Sequence, residues 1–153
     1  KDGIAELSSQ FPQYTELIQA YDTYWEDSIT ETLEGTIAIA QDLKSAGWDL
    51  YLLSNFSAET FPLMQKRYEF LRLFDDVIIS GEHKLVKPDS AIYQLTLERI
   101  NRKAHECLFI DDSLPNIETA QKLGFHTIQF HSPEQLHKEL EISLGEYSIC
   151  TRN

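Results

Sequence analysis

A short apolar run that ends in two adjacent acids constrains the fold of this chain most. Leu108, Phe109 and Ile110 lead directly into Asp111 and Asp112. A run of this length between polar residues is typical of a strand that is buried on both faces of a parallel sheet. Two carboxylates at the end of such a strand cost free energy unless a cation or hydrogen-bond donors offset their charge. The stretch therefore predicts either a hard-metal site, for which Mg²⁺ is the preferred ion, or a solvated strand end whose Asp caps the next helix.

Strands and helices alternate from residue 36 to residue 141. Apolar runs indicate strands at 48–53, 76–79, 106–110 and 125–130. Helical spacing indicates helices that begin at Thr36, Ala58, Ser90, Asn116 and Pro133 and end near 47, 68, 100, 123 and 141. This alternation with short connections predicts an α/β fold, a Rossmann-like three-layer arrangement in which helices cover both faces of a parallel sheet.

The first 34 residues have a different pattern from the rest. Leu17, Ile18, Tyr21, Tyr24 and Trp25 recur at helical spacing, with acids between them and no strand pattern nearby. We interpret this aromatic stripe as packing residues, and residues 1–34 as part of a helical cap. The α/β core is then 35–141, and the tail at 142–153 has no clear signal.

Charge and composition exclude several classes of protein. The net charge of −12 argues against nucleic acid and anionic membranes as partners, because both require a basic surface. No apolar run approaches the ~20 residues that span a bilayer. A small phosphorylated metabolite stays compatible with this charge, because a lysine, helix amino termini and Mg²⁺ make a locally positive pocket. The chain has only two cysteines, one of them in a predicted buried strand, which favours a reducing, cytoplasmic setting over a disulfide framework. The predicted burial of Cys107 also makes its thiol a poor nucleophile.

Three of the predicted strands deliver polar side chains to one edge of the sheet. The first leads into Ser54 and Asn55, the second into the loop that contains Lys87, and the third into Asp111 and Asp112. Ligands of open parallel sheets bind outside the carboxyl ends of the strands. Taken singly, Ser54 is equally well explained as a turn residue and Lys87 as an exposed loop lysine. Together these residues predict phosphoryl chemistry, in which a hydroxyl, an amide and a cation surround the phosphate and the acids hold a metal.

Three sequence motifs resemble those of the haloacid dehalogenase-like (HAD) hydrolases. They are YLLSN at 51–55, KPDSAIY at 87–93 and FIDDSLPNIETAQKLG at 109–124. Their order and spacing are most similar to the branch that contains sugar-phosphate phosphatases and the phosphatase domain of soluble epoxide hydrolases. The resemblance covers about residues 36–131, and residues 1–34 resemble the trailing helices of the family's small cap.

The resemblance implies a role for each matching residue. Ser54 would bind the phosphoryl oxygens, with Asn55 beside it as a further substrate-binding residue, and Lys87 would pair with the nucleophile and the phosphate. Asp112 would ligate Mg²⁺, while Asp111 would orient the site and contribute to the metal site.

Two positions depart from the common pattern of the family. Asn116 stands where many relatives have a third acid, as in the epoxide-hydrolase-like branch, and is a candidate for substrate binding. The first family motif, an apolar strand that ends in an Asp nucleophile, has no counterpart before Trp48. In the family this strand lies between those predicted at 48–53 and 106–110, so its loss would leave both without ladder partners. We therefore expect a longer protein, of which the first ~40–50 residues are absent here.

Three functions follow from these observations. The leading one is a Mg²⁺-dependent phosphomonoester hydrolase, with sugar phosphates as the implied substrate class and an aspartyl-phosphate formed on an Asp of the missing segment. The alternatives are a metal-independent 2-haloacid dehalogenase, against which the paired acids argue, and a non-catalytic binding protein on the same scaffold.

Overall fold

The computed structural model describes residues 2–29 and 31–145. The chain divides between Leu33 and Glu34 into two compact units. Most of the tail at 142–153 lies outside the described residues. In the described ranges no helix is both long enough and apolar enough to cross a lipid bilayer.

The first unit is helical, as its sequence pattern predicts. Helix α1 is Asp2–Gln10 and helix α2 is Thr15–Tyr24, and each is followed by a short 3₁₀ helix, Pro12–Tyr14 and Trp25–Ser28 respectively.

The packing interpretation of the aromatic stripe is wrong for three of its residues. Leu17, Tyr21 and Tyr24 are 68%, 73% and 63% exposed, whereas Ile18 and Trp25 are half-buried. A unit with two main helices covers only one face of each. Ile18 lies on that face of α2, and Trp25 begins the 3₁₀ helix that follows it. Helical spacing alone does not distinguish the covered face from an adjacent open one.

The second unit contains four strands and six α-helices among the described residues. In chain order they are α3 Glu34–Ser45, β1 Tyr51–Ser54, α4 Phe61–Arg67, β2 Asp76–Ile79, α5 Ser80–His83, α6 Ser90–Ile100, β3 Leu108–Asp111, α7 Leu114–Lys122, β4 His126–Gln129 and α8 Pro133–Gly145, with 3₁₀ helices at Glu69–Leu73 and Ala104–Glu106. This alternation confirms the predicted α/β class.

The strands form two parallel pairs. β1 pairs with β2, with Ser54 opposite Ile79, and β3 pairs with β4, with Asp111 opposite Gln129. Among the described residues β1 and β3 do not pair with each other, so each has one edge without a strand partner. The expectation of a strand between them stays a prediction.

Helices cover both faces of the strands, and the alternation of side chains along β3 shows this directly. Leu108 and Ile110 pack against a cluster from α3, β4 and α8, namely Ile39, Ile128, Leu136 and Leu140. Phe109 points to the opposite face, where it packs against Ile78, Ile92, Tyr93 and Ala120 of β2, α6 and α7. Since successive residues of a strand face opposite sides, the two clusters are the two interfaces of a three-layer fold.

Two of the shifts in predicted boundaries have a cause that the structure shows. β1 begins later than the predicted start at Trp48. The N–H of Trp48 donates to the carbonyl of Leu43 (3.1 Å), and the N–H of Leu50 donates to the carboxylate of Asp75 (2.8 Å). α7 begins at Leu114, before the predicted start, because proline is tolerated in the first helical turn.

The remaining observations concern the ends of the helices and the burial of Cys107. Asp89 caps α6 by accepting from the N–H of Ala91 at 2.9 Å, and Asn101 ends this helix in the left-handed conformation. Part of the segment between β2 and the loop that contains Lys87 is helical, as α5, and α8 extends past Glu141. Cys107 is half-buried rather than buried, because it precedes β3, and burial raises the pKa of its thiol.

Gly81 offers a test of the packing between α5 and the loop after β1. A Cβ at Gly81 would lie 2.6 Å from the backbone nitrogen of Ala58 and 2.9 Å from the carbonyl oxygen of Phe56. Because backbone atoms cannot give way, Gly81→Ala should lower the free energy of unfolding by about 1–3 kcal/mol. Urea unfolding measures this change. Gly3→Ala in α1 is the control, since its Cβ meets nothing within 4 Å; equal effects of the two substitutions would contradict the prediction.

Candidate active site

A buried ion pair joins the loop before α6 to the end of β3. Nζ of Lys87 donates to Oδ2 of Asp111 at 2.7 Å and to the carbonyl oxygen of Leu53 at 2.8 Å. The side chains of Lys87 and Asp111 are only 10% and 6% exposed. Nζ also lies 5.7 Å from the centre of the Phe109 ring. The ammonium group therefore links the carboxyl ends of β1 and β3, although these strands do not pair.

The carboxylate of Asp111 has a donor for each oxygen. Nζ of Lys87 donates to Oδ2, while Oδ1 accepts from the N–H of Ser113 at 2.9 Å and from Nδ2 of Asn116 at 2.8 Å. Burial alone would raise the pKa of Asp111, but the hydrogen bonds from Lys87, Asn116 and Ser113 and the charge of Lys87 hold it below its ordinary value of 3.8. Asp111 is therefore ionised at neutral pH.

Tyr93 stabilises this arrangement through its hydroxyl group, a contribution that residue spacing alone did not indicate. Its fully buried hydroxyl donates to the carbonyl of Asn116 at 3.1 Å, in the first turn of α7. Burial, with a smaller effect from the charge of Asp111, raises the pKa of Tyr93 to about 12. A tyrosine on the buried face of an amphipathic helix is the available sequence signal, because its hydroxyl requires a partner there.

Ser54 and Asn55 lie at the carboxyl end of β1. The side-chain amide of Asn55 donates to the backbone carbonyl of Lys87 at 2.9 Å and accepts from the backbone N–H of Lys87 at 2.8 Å. Ser54 is the last residue of β1 and is half-buried. It lies between Leu53 and Asn55, both of which contact Lys87.

The two adjacent acids lie in different surroundings. Asp112 is exposed, and its carbonyl oxygen accepts from Nε2 of Gln129 at 3.2 Å. In the described ranges no side chain or backbone group donates to the carboxylate of Asp112. The same ranges contain no cluster of three or more His, Cys, Asp or Glu side chains with metal-binding geometry. The donor set nevertheless fits Mg²⁺, since this ion commonly takes one or two carboxylates together with waters and phosphate oxygens.

The structure thus brings the predicted site residues to one edge of the strands. Lys87 and Asp111 are in direct contact, and Asn55 and Asn116 each bond to one member of that pair. Ser54 and Asp112 adjoin them in the chain. The roles assigned to these six residues from the resemblance stay predictions.

Asp111→Asn tests the electrostatic account of this site. Because the pKa of Asp111 is lowered in the folded state, its ionised form stabilises the fold above its ordinary pKa, and that contribution is lost as the pH falls through the lowered value. Breaking a buried pair costs about 3–5 kcal/mol. Urea unfolding should show this deficit near neutral pH, and the gap from wild type should narrow below about pH 4.

The matched control is Asp42→Asn, which removes an exposed carboxylate of α3. Its stability curve should follow that of the wild type. If the difference in the free energy of unfolding between the wild type and Asp111→Asn stays constant as the pH falls through the acidic range, the electrostatic explanation is wrong.

Comparisons with known proteins identify the family of this chain. The family model for haloacid dehalogenase-like hydrolases matches residues 3–124. Among curated relatives, acyl-CoA dehydrogenase family member 10 of Mus musculus is 38% identical over 115 residues, which is 72% of this chain and 10% of that protein. The sesquiterpene phosphatase astK of Aspergillus oryzae is 29% identical over 69% of this chain and 53% of its own length. The (S)-2-haloacid dehalogenase 4A of Burkholderia cepacia is 30% identical over 60% of this chain and 39% of its own length.

Solved structures show the same fold. A predicted HAD-like family hydrolase from Porphyromonas gingivalis superposes with a TM-score of 0.69 at 25% identity, covering 81% of this chain and 64% of that one. The HAD family enzyme bt-2542 from Bacteroides thetaiotaomicron, in complex with magnesium and inorganic phosphate, gives a TM-score of 0.57 at 27% identity, with 63% and 52% covered. This chain spans about half or less of the length of the three curated relatives. With its Rossmann-like core and matching family model, the chain belongs to the haloacid dehalogenase-like hydrolases.

Proposed function

We propose that this protein is a Mg²⁺-dependent phosphomonoester hydrolase. The observation that supports this most is the buried Lys87–Asp111 pair beside the exposed carboxylate of Asp112, because it combines a fixed cation with an available metal ligand. One relative is a sesquiterpene phosphatase, and bt-2542 binds magnesium and inorganic phosphate, which supports the same chemistry.

Lys87 has the capacity to bind a phosphoryl oxygen. An ammonium group has three N–H donors, and Leu53 and Asp111 accept two of them. Among the residues that the structure describes, no third group accepts from Nζ, and we assign the third donor to a phosphate oxygen. Asp111 holds Lys87 in place and keeps it charged, and Ser54 supplies a hydroxyl donor from the end of β1.

Asp112 is the proposed ligand of Mg²⁺. When bound, the ion would offset negative charge on the phosphate and on the attacking group. Asn116 is 8% exposed and donates to Asp111, so we assign it to orienting Asp111 rather than to direct contact with the substrate.

The proposed reaction requires a carboxylate nucleophile. Asp111 is buried and hydrogen-bonded at both oxygens, and Asp112 is assigned to the metal. We therefore assign the nucleophile to an Asp outside this sequence, on a strand beside the open edges of β1 and β3. Its oxygen would attack phosphorus and release the alcohol, and water would then hydrolyse the aspartyl-phosphate.

Asp112→Asn tests the function and the metal site together. The full-length gene product should hydrolyse an aryl phosphate with Mg²⁺ and lose this activity with EDTA. Asp112→Asn should lower kcat/KM by about 100-fold or more, because an amide is a weaker ligand than a carboxylate. Mg²⁺ affinity, measured by titration calorimetry, should fall in the same variant. Asp42→Asn should match the wild type in kcat/KM and in Mg²⁺ affinity. A rate of hydrolysis that changes neither with EDTA nor in Asp112→Asn would exclude the proposal.

The substrate class follows from the same assay. Sugar phosphates are the class that the motifs imply, while the similarity to a sesquiterpene phosphatase adds phosphate esters of apolar alcohols. Comparing kcat/KM for a sugar phosphate and a terpenyl phosphate distinguishes the two classes.

Removal of halide is the second candidate function, because a relative with 30% identity is an (S)-2-haloacid dehalogenase. The exposed carboxylate of Asp112 argues against it, since a metal-independent reaction has no use for that ligand. We expect no chloride release from 2-chloropropionate in the presence of EDTA. Release measured by a chloride electrode under those conditions would make dehalogenation the first candidate.

A further inference from the structure

We propose that Asn55 is a positioning residue that holds the backbone of Lys87, in place of the substrate contact that the family resemblance implies. This inference rests on the proposed function, because it concerns how Lys87 is presented to a phosphate. It assigns to Asn55 a role that acts through another residue.

The contact between Asn55 and Lys87 uses both ends of the side-chain amide. Nδ2 donates to the Lys87 carbonyl at 2.9 Å, and Oδ1 accepts from the Lys87 N–H at 2.8 Å. Two hydrogen bonds to one residue fix the plane of the amide as well as its position. Turning Asn55 towards a substrate would break both bonds together.

The same short stretch of chain holds Lys87 at a second point. The carbonyl of Leu53 accepts from Nζ at 2.8 Å, while Asn55 binds the backbone. Leu53 and Asn55 are the two neighbours of Ser54 in the chain. Leu53 therefore binds the side-chain ammonium of Lys87, and Asn55 binds its backbone. Because of this, the backbone at Ser54 and the ammonium of Lys87 are held in register before any substrate binds.

A positioning role and a substrate contact predict different behaviour. Loss of a clamp loosens the backbone at residue 87 and lowers the fraction of molecules with Lys87 in place, so kcat falls while KM changes little. Loss of a substrate contact leaves the backbone at 87 unchanged and raises KM.

The test uses hydrogen exchange and kinetics on the full-length gene product. Exchange of the Lys87 amide, followed by NMR, should become about tenfold faster in Asn55→Ala, because its acceptor is removed. Asn55→Asp keeps an oxygen acceptor at the same position and should exchange at nearly the wild-type rate. With Mg²⁺ and an aryl phosphate, Asn55→Ala should lower kcat about tenfold and change KM less than about threefold. Gln94→Ala, on the exposed side of α6, is the control and should change neither measurement.

Several results would overturn the proposal. Unchanged Lys87 exchange in Asn55→Ala would show that no clamp exists, and a rise in KM at constant kcat would identify a substrate contact. Faster exchange without any change in kcat would show that the clamp does not serve catalysis. If the wild type hydrolyses no phosphate ester, the proposed function fails, and the exchange rates of the two Asn55 variants decide the clamp by themselves.

Discussion

The buried contact between Lys87 and Asp111 is the interaction on which the rest of the site depends. Removing both charges from water is costly, and the pair is tolerated because each group has further partners. The ammonium also bonds to Leu53, and the carboxylate also bonds to Ser113 and Asn116. Through these contacts one ion pair connects two parallel strand pairs that share no ladder in the described part of the chain.

In this arrangement the two adjacent acids, Asp111 and Asp112, have different surroundings. The charge of Asp111 is balanced within the protein, so it acts as a fixed element of the structure. Asp112, one residue further, lies outside the buried network, and within residues 2–29 and 31–145 its one hydrogen bond from a side chain is that of Gln129 to its carbonyl. Asp111 is the last residue of β3 and is buried, whereas Asp112 is the first residue after the strand and is exposed. Their adjacency in the sequence therefore conceals two different environments.

Several features could be predicted from particular residues. The apolar run at 108–110, the cap at Asp89 and the left-handed end at Asn101 are local, because each depends on neighbours within one turn or strand. The start of β1 and the exposure of Leu17, Tyr21 and Tyr24 could not be predicted. The first depends on Asp75, distant in the chain, which takes the N–H of Leu50 out of a strand ladder. The second depends on which face of α2 meets another helix.

The sequence by itself determined the α/β class, the order of the elements and the edge at which polar residues gather, since apolar periodicity and the direction of parallel strands are properties of the chain. Only the tertiary structure decided which polar groups are partners. The amide of Asn55 binds the backbone of Lys87, the hydroxyl of Tyr93 binds the first turn of α7, and the carboxylate of Asp112 stays exposed. These pairings depend on distances between groups tens of residues apart, and residue type and spacing do not specify such distances.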